Sequence, residues 1–285
     1  MHAKEPGNIA HKNYQSSILS ASIRYRSAFR NYLIHIGVII LFLAAGCAHH
    51  IPIAADSVQA VYLAEKKEED ILHRFAPIFK VYDYHQQYNR IGRPVALQGK
   101  NGEEQIAIDT DRPAIYGGKM TFSTAKGLYA NLIYRVHFPA VPFSLIPFNL
   151  TAGKNPGLML IITLNRRDEP LLVTSVHTCG CYKALVATTA LLGKAFPEKR
   201  QGKQGAQKVF GEHLPMVIDY RASREQRLLV GLRPGVHRVM TLQVIDALKV
   251  VSTIMCEIIL CHIFHKWQVG GNFTYGFRPP VDFHL

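Results

Sequence analysis

The stretch VHTCGCYKALV, residues 176–186, places His177, Cys179 and Cys181 at alternate positions. In an extended strand, side chains at i, i+2 and i+4 project to one side. One imidazole and two thiols would then share a face, a ligand set that suits zinc or a copper ion. A fourth ligand is available in His137, from YRVHF, if that segment lies alongside; Arg135 would share its face. Alternate side chains on a flat strand stand about 7 Å apart, too far for one ion. Gly180 between the cysteines allows a bend or bulge that gathers them. The same residues support three other readings. Outside the cytoplasm, Cys-Gly-Cys closes a small-ring disulfide that is easily reduced. One cysteine with His177 or His137 as base makes a nucleophile, although the local sequence supplies no triad partner or oxyanion hole. Finally, both thiols can pack as small buried residues.

A second constellation is CEIILCHIFH, with Cys256, Cys261, His262 and His265. Cys261 and His265 are four apart, a spacing that chelates a metal on a helix. The Cys-x4-Cys-His run resembles a variant attachment motif of multihaem c-type cytochromes. That resemblance implies thioether bonds from Cys256 and Cys261 to haem and iron ligation by His262. Only one such run occurs, and its intervening residues continue an apolar helical pattern, so haem is not the expected cofactor. Zinc or another transition metal at the His177 cluster is. No residue stands out as catalytic by pattern alone.

The reading of these thiols depends on compartment, and the N-terminus speaks to that. Residues 1–32 are polar and carry Lys4, Lys12, Arg24, Arg26 and Arg30. An apolar run, LIHIGVIILFLAAGC, extends from Leu33 to Cys47. A basic flank, an apolar stretch and small residues are the order of a secretory signal. Ala44-Ala45-Gly46-Cys47 resembles the lipobox of bacterial lipoproteins. The resemblance covers the leader alone and implies that Cys47 is lipidated and becomes the new N-terminus. Acyl chains contribute about 0.8 kcal/mol of membrane affinity per buried methylene. The alternative is a single uncleaved membrane helix; the run is shorter than the roughly 20 residues that span a bilayer. Either way the basic flank stays cytoplasmic and the remaining chain faces the periplasm. Ala48 rather than Asp after the cysteine favours the outer membrane.

Charge agrees with an envelope setting. Lys and Arg total 33 against 20 acidic residues, a formal net charge of +13, which favours anionic lipid surfaces. No helix-turn-helix, zinc-finger or RNA-binding signature accompanies it, so nucleic acid is not an expected partner. No protein partner is indicated.

The elements that must position the cysteines read as strands. GLMLIITLN is a continuous apolar run ending in a turn at RRDEP, and it pairs as a hairpin with LLVTSVHTCGCY. KGLYANLIYRVHF is a further strand, and RLLVGLRPGVHRVMTLQVI turns at Arg233-Pro234-Gly235. Gly117-Gly118 reads as a turn. Short strands at this spacing predict a mainly β fold, an antiparallel sandwich or open barrel with flanking helices, of α+β class. The expected organisation is a signal or anchor over 1–46, a tether and short helix over 47–70, a β-rich domain over 71–245, an amphipathic C-terminal helix over 246–267 and a tail over 268–285. In the short helix, Leu63, Ile71, Leu72 and Phe75 would share a face, with Pro77 as its stop. The functional expectation is a membrane-anchored envelope lipoprotein that binds a metal ion or ligand through the His-x-Cys-x-Cys strand. The alternative is a thiol- or metal-dependent periplasmic hydrolase using Cys179 or Cys181 with His137.

Overall fold

The computed structural model describes residues 31–39, 53, 56–65, 70–99, 101–143, 152–191, 205–221, 225–246, 253–260, 265–269 and 272–276. The chain divides into two units, Met1–His49 with Leu145–Leu150, and His50–Ser144 with Thr151–Leu285. In the first, residues 31–39 are helical, and Leu33, Ile34, Val38 and Ile39 are exposed. Among the described residues no helix is long and apolar enough to cross a membrane. Cys47 lies outside the described residues.

The second unit is built almost wholly from strands. In chain order these are β1 (Gln59–Ala64), β2 (Ile78–Tyr82), β3 (Arg93–Gln98), β4 (Glu104–Asp109), β5 (Ala114–Thr124), β6 (Gly127–His137), β7 (Ala140–Val141), β8 (Gly153–Lys154), β9 (Gly157–Leu164), β10 (Pro170–His177), β11 (Lys183–Thr188), β12 (Ala206–Val209), β13 (Glu212–Pro215), β14 (Val217–Ile218), β15 (Gln226–Leu232), β16 (Val239–Asp246), β17 (Thr253–Leu260), β18 (His265–Val269) and β19 (Asn272–Gly276). Eleven of them form one sheet in the order β14-β11-β10-β9-β6-β5-β17-β1-β2-β15-β16. The fold is therefore mainly β, as expected, and of the two expected architectures it is the open barrel, a large sheet curled nearly closed. The sheet is mixed rather than antiparallel: β17 runs parallel to both β1 and β5, β15 parallel to β2, and β14 parallel to β11.

Alternation sets the two faces of this sheet. In β9, Leu158, Leu160, Ile162 and Leu164 are buried while the residues between them are half-buried. Their partners across β6 include Leu132, Tyr134 and Val136. With Tyr62, Phe79, Val186, Leu228, Val230 and Ile258 they belong to a single core on the inner face. Burying such side chains is the dominant favourable contribution to folding, roughly 1.5–3 kcal/mol each.

Several expected features are corrected. Within the span 246–267, expected as an amphipathic helix, residues 253–260 form β17 inside the sheet: Cys256 and Ile258 point into the core and Met255 and Glu257 outward. This segment carries a two-residue period as well as an apolar helical one, and its β-branched Thr253, Ile254, Ile258 and Ile259 suit a pleated surface. The tail contributes β19, paired with β18. The short helix begun at Leu63 is divided. Its first part is β1, and among the described residues of the segment the helix is one turn, Ile71–Arg74, capped by the Asp70 carboxylate accepting from the Leu72 N–H at 3.0 Å. Gly117-Gly118 is not a turn but lies within β5. A Cβ at Gly117 would sit 2.9 Å from Ile258 Cγ2, so glycine permits β17 to pack there.

The edge strand β16 is flanked by a hairpin that lies outside the large sheet. The hairpin β12–β13 leads directly into β14, and β13 packs beside β16. Glu212, at the start of β13, accepts two hydrogen bonds from Arg233, at 2.7 Å from Nε and 2.6 Å from Nη2, and a longer one of 3.4 Å from Arg238 Nε. Arg233 and Arg238 flank the β15–β16 turn; Glu212 and Arg233 are buried and Arg238 is half-buried. Close by, the Tyr182 hydroxyl donates to the Val239 carbonyl at 3.1 Å. Burial by itself would raise the Glu212 carboxyl. The hydrogen bonds and charge of Arg233, with Arg238, outweigh it and hold the pKa below the usual range.

Removing one member of such a pair strands the other charge in a dry site, a cost of about 3–5 kcal/mol. Glu212→Gln is expected to lower stability by that order at pH 7 in denaturant titration. Because the native pKa is depressed, the carboxylate's contribution is present above its ordinary pKa and lost as pH falls through the native value. The difference between wild type and variant should therefore shrink in acid; a difference that is constant with pH would contradict the assignment.

Candidate functional site

The strand β10 ends at His177 and gives way to a turn. The His177 N–H donates to the Tyr182 carbonyl at 3.1 Å, and the Gly180 N–H donates back to the His177 carbonyl at 2.8 Å. Gly180 has φ +71°, a left-handed conformation that costs glycine nothing. This is the bend between the cysteines that metal binding required, and it frees Cys179 and Cys181 from strict alternation. Their Cα atoms are 5.4 Å apart and their sulfurs are bonded as a disulfide. One ligand atom from each of His177, Cys179 and Cys181 lies within 4.8 Å of the others. Both cysteines are exposed, whereas His177 is buried.

His177 is a base waiting for a partner. Its Nε2 is buried and makes no hydrogen bond. Burial, with the Arg238 charge adding, pushes its pKa down against a partial offset from the backbone of His237. A neutral imidazole with a spare nitrogen is the form that binds a metal. His237 lies behind it, on the β15–β16 turn. Its ring stacks on Phe138 at 4.0 Å between centroids and 4° between planes, and both ring nitrogens are buried. Burial and the neighbouring His177 push its pKa down to about 3.

His137 is not part of this cluster. Register explains why: Leu158 is paired with Val136 on one side and with His177 on the other. Directly opposed residues share a face, so Val136, Leu158 and His177 point inward and His137 points outward. There its ring meets Tyr116 edge-on at 5.5 Å, its carbonyl accepts from the Gly92 N–H at 3.0 Å, and burial with the Arg135 charge brings its pKa to about 3. His137 is therefore on the opposite face from the group formed by His177, Cys179 and Cys181.

The second constellation does not assemble as a haem site. Cys256 is wholly buried against the core, and burial, with the charge of Glu65, pushes its thiol up to about 12. Such a thiol is protonated and inaccessible to a haem vinyl group. Cys261 and His262 lie outside the described residues. His265 opens β18 opposite Gly276, so it is not on the helix that an i, i+4 pair with Cys261 needs.

Sequence reasoning missed Glu212, Arg238 and His237. Each is a single residue in a turn-rich stretch, and they meet only in the folded chain. No protein family, curated protein or solved structure matches the chain.

Buried neutral histidines make the fold sensitive to acid. The unfolded chain takes up protons near pH 6.5 while native His137 and His237 resist until about pH 3. Stability is then complete above the unfolded value and falls as pH drops through that window, by roughly 3 kcal/mol per histidine at pH 4.5. Chemical denaturation between pH 7 and 4.5 checks this. His237→Leu is expected to flatten the pH dependence by close to one proton; an unchanged slope would sink the account.

Proposed function

We propose that the protein is an exported, lipid-anchored envelope protein whose β-rich domain carries a redox-gated metal site. Cys47 is the anchor. The site is the His177 imidazole with the thiolates of Cys179 and Cys181. The observation that carries the reading is the convergence of one ligand atom from each of these three residues within 4.8 Å, on a histidine whose buried Nε2 makes no hydrogen bond. Gating arises from the chemistry. The disulfide takes up two electrons and two protons from an external thiol reductant, giving two thiols. A divalent ion then displaces both protons. In a tetrahedral set with zinc–sulfur bonds near 2.3 Å the sulfurs stand about 3.8 Å apart, a separation that rotation about Gly180 supplies. The fourth position is left to water or an incoming ligand. Zinc fits this borderline set best; copper is the next candidate.

A second reading is favoured by the exposure of both sulfurs on a turn: an exchangeable disulfide that passes electrons to or from a partner thiol without any metal.

The full-length protein, reduced without oxygen and titrated with cobalt and then zinc, separates the two. The metal reading expects one ion per chain, thiolate-to-cobalt absorption, and at least a hundredfold loss of affinity in C179S/C181S, with no binding to the oxidised form. Reduced protein that binds no metal would exclude it. For the anchor, metabolic labelling with a fatty acid is expected to mark the wild type and not Cys47→Ala. Equal labelling of both would remove the lipoprotein assignment.

A further inference from the structure

At one end of the sheet, away from the cysteines, two hairpin turns lie side by side. Thr124–Gly127 joins β5 to β6, and Asn165–Glu169 joins β9 to β10; pairing of Ala130 with Leu164 makes them neighbours. On the outward face above them, Phe122 and Tyr129 are cross-strand partners stacked at 5.5 Å and 21°. With Leu171, Leu172 and Leu191 they line an open groove of about 490 Å³, almost entirely apolar, with Lys126 at its rim. Lys126 and Tyr129 also line an adjoining hollow together with Arg166 and Arg167.

The charges at this end are unequal. Asp168 is held by Arg74 at 3.2 Å, and Glu169 accepts from Asn165 at 2.7 Å and from Arg167 at 3.0 Å. Among the described residues, Lys126 and Arg166 there have no acidic partner. Beside the leucines, the Thr163 hydroxyl that lines the groove donates to Asn131 at 2.8 Å, which leaves its polar group satisfied. An outward apolar groove whose rim is cationic is complementary to a surface that offers hydrocarbon beneath anionic phosphates. Tyrosine suits that boundary, apolar in its body and polar at its tip.

We propose that this end of the domain docks on an anionic phospholipid bilayer. Phe122, Tyr129 and the leucines enter the acyl boundary, and Lys126 and Arg166 meet lipid phosphates. The inference does not depend on the His177 cluster. It adds to an N-terminal anchor a second contact that fixes which way the domain faces.

A reporter at the groove tests this in the full chain. Trp267 is the protein's single tryptophan, so a W267F background with Tyr129→Trp carries one indole at the groove. A companion with Ile106→Trp, on the exposed β3–β4 hairpin, carries one elsewhere, and Phe122→Trp serves if Y129W fails to fold by circular dichroism. Each is mixed with vesicles whose acyl chains are brominated to quench indole. With phosphatidylglycerol present, the groove reporter is expected to lose at least half its emission and the Ile106 reporter little. K126E/R166E should shift the docking equilibrium about tenfold toward the undocked form, and vesicles of phosphatidylcholine alone should quench weakly. No quenching at the groove, equal quenching of both reporters, or quenching indifferent to lipid charge and to K126E/R166E would each overturn the proposal. So would a dimer in solution whose formation shields the groove, which would assign it to a second copy.

Discussion

A buried carboxylate that accepts from two guanidinium groups ties the β12–β13 hairpin to the turn at the edge of the large sheet. Eleven strands offer two edges, and open edges expose unpaired backbone groups that invite aggregation. Here β16 is flanked by β13, from the hairpin that leads into the other edge strand, β14. The link is Glu212 with Arg233 and Arg238, reinforced by the Tyr182 hydroxyl. Bidentate geometry matters because the charges are buried: two short, parallel hydrogen bonds are what offsets the loss of water around both ions. The end of β10 lies against the same β15–β16 turn, which is why His177 and His237 become neighbours although 60 positions separate their numbers.

The pleat decides the chemistry on either side of the wall. A step of one residue exchanges inside for outside. His137 and His177 end strands separated only by β9, and an imidazole on each looked ready to share an ion. The register places them on opposite faces instead, and each is neutral for its own reason: His137 beneath the β3–β4 hairpin and near Arg135, His177 buried near Arg238. Gly157 shows how tightly the outer position is built. A Cβ there would lie 3.3 Å from His137 Nδ1 and 2.9 Å from Thr178 Cγ2.

What could be read from the chain was local. Turns announced by RRDEP and by Arg233-Pro234-Gly235 join the hairpins expected of them, and the apolar run GLMLIITLN and the segment KGLYANLIYRVHF supply β9 and β6. The bend at Gly180 was legible because glycine between two cysteines has few other uses. Pairing between distant segments was not. β17 sits between β1 and β5 in parallel, and parallel pairing leaves no turn signal because its connections are long. The sequence TIMCEIIL satisfies both a helical and an alternating pattern, and only burial on the sheet's inner face settles the choice. Likewise nothing near Glu212 marks it as the residue that receives Arg233; a buried ion pair is a tertiary fact without a local pattern.

Placing the cysteines on a turn rather than within a strand has a physical consequence. In a continuing strand the backbone would hold two thiols about 7 Å apart and pointing the same way, and neither a disulfide nor a shared ion would form. Ending β10 at His177 leaves the imidazole fixed by the core while Cys179 and Cys181 project into solvent. The imidazole is thereby held by the wall of the sheet, and the two bonded sulfurs sit exposed on the turn. The division suits a site that changes state: the costly part, a buried nitrogen with no hydrogen bond, is built into the folded wall, and the part that must rearrange sits where rearrangement disturbs no packing. An unpartnered buried imidazole is a standing cost of about 1–3 kcal/mol, and a ligand bound at Nε2 would offset it.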